Sequence, residues 1–546
     1  MPTTAAALDQ VLEYHQRTKH DFKRYAAGPG ELDWSSQPEA FRMFAGSTRL
    51  ALPLLGEAPQ PHYRELYQTA LIPRRSLSLP SLAAMLELSL GISAWKQYAG
   101  KRWALRCNPS SGNLHPTEAY VVLTACSGIA DGVHHYCSRD HVLEQRCQFP
   151  ADSPAVASAL PPGTFLLGLS SIHWREAWKY GERAYRYCQH DVGHAIAALR
   201  YAAALFGWQV QLLTSWSDDD IGSLLGIGRD EDFDPAEREH PDLLLQVETD
   251  PRSGEDGADG AIEPGPLLDA IQGAPWQGRA NRLSARHLHD WPVIDAVAQA
   301  CRKPREAAVR WIPAPLPAAL DSPCAQSAAS IIRQRRSAQA FDGATSITAA
   351  TFYRMLDMTL AREGVPPWDM LTWPPRVHLL LFVHRVDGLM PGLYLFMRNA
   401  TAGEAMRQAM SKEFTWVPVT DCPAHFQLFR LDSANLQRVA RTLSCHQDIA
   451  ADGAFSLGML AEYESTLAAG PWRYRQLFWE AGMLGQVLYL EAEAAGVRGT
   501  GIGCYFDDGV HEMLGLQARA VQSMYHFTLG GALTDDRLET LSAYGQ

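Results

Sequence analysis

Residues 185–226 read YRYCQHDVGHAIAALRYAAALFGWQVQLLTSWSDDDIGSLLG, and residues 474–515 read YRQLFWEAGMLGQVLYLEAEAAGVRGTGIGCYFDDGVHEMLG. At one offset of 289 (474 minus 185), Tyr185-Arg186 falls on Tyr474-Arg475, Gly193 on Gly482 and Gly207 on Gly496. Asp218-Asp219 falls on Asp507-Asp508 and Leu225-Gly226 on Leu514-Gly515. Such matches at one spacing without a gap mark an internal duplication. Upstream, Arg74-Arg75-Ser76 answers to Arg335-Arg336-Ser337 at offset 261, and Gly132 of GVHHY to Gly392 of GLYLF at offset 260. The second copy therefore carries about 28 extra residues (289 minus 261) between that strand and its long helix.

Each copy runs in one order: Arg-Arg-Ser, a helix, an apolar strand, a glycine-led second strand, a long helix, a glycine and a third strand. The apolar strands are expected at Ala119–Thr124 and Val377–Val383. Val192–Phe206 and Ala481–Ala495 mix Ala and Leu with small residues, the composition of buried helices in close contact with neighbours. The unit is α+β and occurs twice. Four segments follow: an N-terminal helical arm (1–65), a first domain (66–249), a linker and crossing connection (250–325) and a second domain (326–546). Leu8–Tyr25 is amphipathic, DPRSGEDGADGAIEPG (250–265) has the Gly, Pro and acidic content of a surface linker, and Trp291–Arg302 reads as a helix.

The composition agrees with this organisation. A length of 546 residues exceeds what one core organises, and 47% hydrophobic residues exclude a mostly disordered chain. A formal charge of -12 has the wrong sign for a protein whose main partner is nucleic acid. No apolar run reaches the roughly 20 residues of a membrane span, and Met1–Gln10 shows no secretory leader. Ten cysteines without a C-x-x-C pair suit a reducing compartment, so a cytoplasmic location is expected and no metal site. Cys445-His446 is the nearest approach to a metal or nucleophile pair.

Three places could carry chemistry. Paired arginines and a hydroxyl at a helix start would hold an anion such as phosphate, although one such pair alone is ordinary solvated surface. Asn108-Pro109-Ser110-Ser111-Gly112-Asn113-Leu114-His115-Pro116 offers hydroxyl, amide and backbone donors to a planar polar ligand, or is simply a turn. The second copy has Asp369-Met370-Leu371-Thr372-Trp373-Pro374 in that place. Lys179-Tyr180, in AWKYGERAYRY, could serve as general base and proton relay, or be a snorkelling lysine beside aromatic packing; the second copy has Ala468-Ala469. Walker, Rossmann, G-x-S-x-G and H-E-x-x-H patterns are missing, and Gly499-Thr500-Gly501-Ile502-Gly503 follows a helix in the wrong context for a dinucleotide loop.

Taken together, RRS, PSSGNLHPTEAYVV, GVHHY, KYGERAYRY with DVGH following, and the terminal LLG resemble the nitroreductase-like flavoproteins, specifically the SagB-type dehydrogenases. The match covers residues 73–227 well and 330–516 more weakly. The resemblance implies two tandem nitroreductase-like domains arranged as an intramolecular pseudo-dimer. It implies one FMN pocket made from Arg335, Arg336, Ser337, Gly501, Ile502 and Gly503 of one copy with Pro109, Ser110, Ser111 and Asn113 of the other. A reciprocal pocket would pair Arg74, Arg75 and Ser76 with a loop that has lost its serines, and is expected to be degenerate. Both RRS motifs lack the family's basic residue two places after the serine, having Ser78 and Gln339. By the same resemblance, Lys179 would accept the ring-carbon proton as hydride leaves the substrate, with Tyr180 assisting.

The implied activity is oxidation of a thiazoline- or oxazoline-like ring, or a related C–N unit, on a modified peptide or carrier-bound substrate, in company with a peptide-modifying biosynthetic partner and without nucleic acid or membrane. Two other readings stay open: an NAD(P)H-dependent reductase of nitro or quinone compounds, and a flavin-poor scaffold or peptide-binding protein.

Overall fold

The structure is a computed structural model that describes residues 4–56, 60–68, 71–151, 153–250, 262–516 and 518–545. Most of the expected linker, residues 251–261, lies outside the described residues. The helices that position the site are α1 (Thr4–Arg17), α2 (His173–Tyr180), α3 (Ala184–Ala204), α4 (Pro292–Ala300), α5 (Ala328–Gln334) and α6 (Tyr474–Ala494). The strands are β1 (Thr48–Ala51), β2 (Ile92–Tyr98), β3 (Lys101–Arg106), β4 (Thr117–Leu123), β5 (Gly132–Cys137), β6 (Val142–Gln148), β7 (Thr164–Ser171), β8 (Gln209–Leu212) and β9 (His240–Glu248). They continue as β10 (Val377–Val383), β11 (Gly392–Met397), β12 (Val417–Pro418), β13 (Gln427–Asp432), β14 (Phe455–Glu462), β15 (Arg498–Ile502), β16 (Val521–Gly530) and β17 (Glu539–Leu541).

The duplication is visible in the strand order. One seven-stranded sheet runs β1-β6-β5-β4-β7-β9-β8, the other β12-β13-β11-β10-β14-β16-β15. Six positions correspond one to one; only the edge strand differs, taken from the N-terminal segment in the first copy and from the extra residues in the second. Alternation within the central strands sorts side chains to two faces. Val121 and Leu123 of β4, and Leu379, Leu381 and Val383 of β10, enter one continuous core between the sheets. Tyr120 and Val122 enter a separate cluster on the outer face of the first sheet, and Leu380 and Phe382 one on the outer face of the second.

The long helices α3 and α6 are the seam between the copies. A Cβ added at Gly193 would lie 2.2 Å from the Trp479 carbonyl oxygen, and one at Gly482 would lie 2.2 Å from that of His190. Backbones this close admit only glycine, which accounts for the matched glycines at offset 289. Both helices start about seven residues before the apolar runs that suggested them. Their first turns carry Arg186, His190 and Asp191, or Arg475 and Glu480, all buried. A helix enclosed on every side has no solvent face, so hydrophobic periodicity does not mark its start.

The duplication also reaches segments whose sequences hide it. His20 N–H donates to Asp507 (2.9 Å), and Lys303 N–H donates to Asp218 (3.0 Å), the matched acid of the other copy. Each donor follows a short helix, α1 or α4, at an offset of 283 (303 minus 20). Val11 and Tyr14 of α1 answer to Ile294 and Val297 of α4, all buried. At the other end of the chain β17 pairs antiparallel with β2, so the last strand of the second copy joins the β2–β3 hairpin of the first. Among the described residues no helix is long and apolar enough to cross a membrane.

Candidate functional site

A cavity of about 470 Å³ opens between the copies, within the size range of small-molecule sites. Its walls bring together Pro109, Ser110, Ser111 and Asn113 of the first copy with Arg335, Arg336, Ser337, Gly501, Ile502 and Gly503 of the second, and Tyr180 joins them. Lys179 is not on the wall. Its ammonium lies 5.2 Å from the Tyr180 ring centre, near the buried Glu176 carboxyl.

The serine loop links β3 to β4 in strained backbone. Gly112, Asn113 and His115 all have left-handed φ, 59°, 59° and 53°. A Cβ at Gly112 would also meet the Tyr180 hydroxyl at 2.5 Å, so position 112 needs glycine for both conformation and space. The loop is pinned from beneath by Asp191 of α3, which accepts from Ser111 N–H (3.0 Å) and Ser111 Oγ (2.9 Å). His115 N–H donates to Ser110 Oγ (2.8 Å) and Asn113 Nδ2 to the Ala104 carbonyl (2.9 Å).

Asp191 was not among the residues singled out from sequence. Burial pushes its carboxyl up to about 7, since the serine donors offset the loss of water only in part. Burial, then the Asp191 charge, pushes the neighbouring Glu176 up as well, and neither Glu176 oxygen has a hydrogen-bond partner among the described residues. A sequence signal existed: Tyr187, Asp191 and His194 stand at i, i+4 and i+7, one face of α3, and all three line the cavity.

The far wall is cationic and aromatic. Lys96, Arg106, Arg335, Arg336 and Arg498 face two carboxylates, Asp191 and Asp535. Burial and the adjacent Arg335 bring Arg336 down to about 10, and burial with Arg336 and Arg498 lowers Lys96. Positive groups that depress one another favour an anion between them. The arginines are not where the sequence suggested. Arg335 follows the C-terminal end of α5, so the N–H groups at the start of that helix do not serve this motif. Instead the Arg335 guanidinium donates to the carbonyls of Arg106 (2.8 Å) and Cys107 (3.2 Å) and lies over the Tyr489 ring. Of the two motifs, only Arg74-Arg75-Ser76 precedes a helix, Leu79–Ser89 capped by Ser78, and its three residues are exposed.

The glycines of β15 are matched to tyrosines. Gly501 N–H donates to Tyr489 OH (2.9 Å), which also contacts Ser337 Oγ (2.8 Å). A Cβ at Gly501 would overlap Tyr525 OH at 1.9 Å, and one at Gly503 would overlap the Tyr187 ring at 2.2 Å.

The donor set can be tested against the phosphate and planar ring system of FMN. Arg106 Nε and Asn108 Oδ1 are buried on the cavity wall with no partner among the described residues, and the His115 and His194 rings line the same wall. Orphaned polar atoms in a native cavity call for a polar ligand or water. Burial holds both imidazoles neutral, His194 down to about 3, so each offers one donor and one acceptor. Cations at one end, Trp103 and four tyrosines along the walls and unpaired polar atoms between them fit such a molecule.

The reciprocal region is closed. Arg200, at the position of Tyr489, bonds both oxygens of Asp369 (2.9 and 2.6 Å) and the Trp208 carbonyl (3.1 Å). Trp208 is buried and donates to the Arg75 carbonyl (2.6 Å), and Arg75 lies over Phe206. Val210, Leu212 and Thr214 stand where the second copy has Gly499, Gly501 and Gly503.

No family model matches this sequence. A crystal structure from Anabaena variabilis whose protein bears a nitroreductase name aligns over 96% of this chain and 99% of its own, with TM-score 0.67 and 23% identity. A Methanocaldococcus jannaschii protein, also bearing a nitroreductase name, is 24% identical over 144 residues, 26% of this chain and 68% of that one. A chain of the E. coli microcin synthetase complex with truncated precursor bound aligns over 46% of this chain and 95% of its own, with TM-score 0.28 and 16% identity. The fold is thus nitroreductase-like, an α+β unit present twice in one chain.

Proposed function

We propose that the chain is an FMN-dependent oxidoreductase with one flavin site, the cavity between its two copies. The observation that carries this reading is the convergence of the serine loop of one copy with the arginines and glycine strand of the other on one cationic, aromatic-walled cavity. When bound, FMN supplies the two-electron redox chemistry. Arg336 and Ser337, held in place by Arg335, bind its phosphate, while Ser110, Ser111 and Asn113 set the position of its ring by hydrogen bonds. Tyr180, whose hydroxyl burial keeps protonated, donates a hydrogen bond into the cavity. Asp191, close to half protonated at neutral pH, holds or releases a proton behind Ser111. Lys179 acts from outside the wall, biasing the Glu176–Asp191 pair and Tyr180.

The reaction class is SagB-type dehydrogenation of a thiazoline- or oxazoline-like ring on a modified peptide or carrier. It rests on the resemblance of PSSGNLHP and KYGERAYRY, and the peptide-modifying partner and cytoplasmic setting rest on it too. The four segments bounded at 65, 249 and 325 are proposed as the domain plan.

The visible spectrum of purified protein, with flavin released by denaturation, tests the cofactor. About one FMN per chain is expected; two would open the reciprocal region, and none after reconstitution would favour a scaffold. Lys179→Ala then tests the reaction. It should abolish azoline oxidation and leave flavin content unchanged, whereas intact NAD(P)H-driven reduction with no azoline oxidation in either protein would favour the reductase reading.

A further inference from the structure

Cys504 ends the glycine strand region on the cavity wall, and Cys445 lies in the loop between the helix Gln437–Leu443 and the turn at Ile449–Asp452 of the second copy's extra segment. Their sulfurs are 2.7 Å apart. That is within about 0.7 Å of a covalent S–S bond. Cys445 and His446 both take left-handed φ, 53° and 60°, uncommon for side chains with a Cβ. Both thiols are partly accessible, whereas seven of the other cysteines are buried.

We infer that Cys445 and Cys504 form a reversible dithiol–disulfide centre at the edge of the cavity, oxidised by low-molecular-weight disulfides. The local chemistry separates their roles. Cys504 is brought down by hydrogen bonds shared with Cys445 and with His20, while Cys445 is pushed up as the protonated partner. His20 Nδ1 accepts from Ala26 N–H (2.8 Å), which leaves Nε2–H as the ring's donor. Arg183 also favours the thiolate, with Tyr25, Tyr180, Tyr187 and the Asp507 carboxylate the other titratable groups facing the pair.

The step balances as thiol–disulfide exchange. The Cys504 thiolate attacks one sulfur of glutathione disulfide, breaking its S–S bond and releasing one glutathione thiolate. Cys445 then loses its proton and attacks Cys504, forming the Cys445–Cys504 bond and releasing the second glutathione, which takes up that proton. Two cysteine thiols are oxidised and one external disulfide is reduced to two thiols. The centre is independent of the flavin reading, because exchange needs no cofactor.

The test is peptide mapping of full-length protein equilibrated in glutathione buffers from reducing to oxidising, acid-quenched and alkylated. The expected result is a Cys445–Cys504 peptide that appears on oxidation and vanishes on reduction, with Cys107 and Cys188 still free. Cys445→Ser should trap a glutathione adduct on Cys504. In wild-type protein at pH 7, Cys504 should alkylate about ten-fold or more faster than Cys422, which is also partly accessible. Absence of the linked peptide across the whole range, or Cys504 alkylating no faster than Cys422, overturns the proposal, and both readouts use the unmodified sequence.

Discussion

Asp191 and Glu480 occupy the same position in the two copies, separated by 289, and both accept hydrogen bonds from the loop that enters the central strand. Asp191 takes Ser111 N–H and Oγ; Glu480 takes the N–H groups of Arg376 (3.0 Å) and Val377 (3.1 Å). They differ in one neighbour. Glu480 is paired with the buried Arg398 guanidinium, whereas the first copy has Ser138 in that place, at offset 260. The carboxylate neutralised by a cation is a structural post. The one with no ion pair among the described residues, where Arg106 offsets burial only in part, is pushed up to about 7 and lines a cavity. One architectural position thus carries an ion-paired post in one half and a carboxyl raised by burial in the other, and the difference between them is one ion pair.

The contrast can be broken most forcefully at the paired end. Glu480→Gln leaves Arg398 buried without its counterion and should cost about 3–5 kcal/mol of stability, read by urea unfolding. Asp191→Asn, which breaks no ion pair among the described residues, should cost far less; equal losses would erase the distinction.

Next in size is the proposed flavin site. Arg335→Gln should weaken FMN binding by about 100-fold, the effect of losing a buried charged anchor, measured by flavin fluorescence quenching.

The pH dependence of stability is smaller and has a definite sign. Asp191 has a folded value near 7, above its ordinary value near 3.8. The native state therefore holds an extra proton between about pH 4 and 7, and the group's contribution to stability is lost as pH rises through that window, by at most about 1.4 kcal/mol per unit. Asp191→Asn should remove this slope, so its melting temperature relative to wild type should climb from pH 5 to pH 7 and then level off. A constant difference would show that Asp191 is ionised throughout.

The smallest expected effect is at the closed region. Arg74→Gln should change the flavin-to-chain ratio and the FMN affinity by less than about two-fold. A marked loss there would mean that the reciprocal region also binds the cofactor.

Sequence conveyed the duplication because backbone contact leaves no freedom: Gly193 and Gly482 touch each other's helices, so both survive in register. The strand Val377–Val383 was legible for a similar reason, being apolar on both faces. The equivalence of α1 and α4 was not legible, because a short helix docking one face needs only apolar bulk, and Val11 with Tyr14 can become Ile294 with Val297. The arginine motif was found, but its place after α5 was not, since Arg335 works through carbonyl oxygens that lie more than 200 residues away in sequence. Asp191 escaped notice because a carboxylate in an alanine-rich helix looks like a surface charge until the loop above it is folded down.

A homodimer built on a twofold axis must write every substitution twice, so any change that improves one interfacial site alters its mate equally. Joining the two copies into one chain removes that constraint. Half of the interface can be rewritten alone, which is how an arginine–aspartate plug can stand opposite an open cavity. The same asymmetry helps at the bench: a point mutation in this chain makes a half-site variant that an ordinary homodimer yields only by mixing and separating subunits.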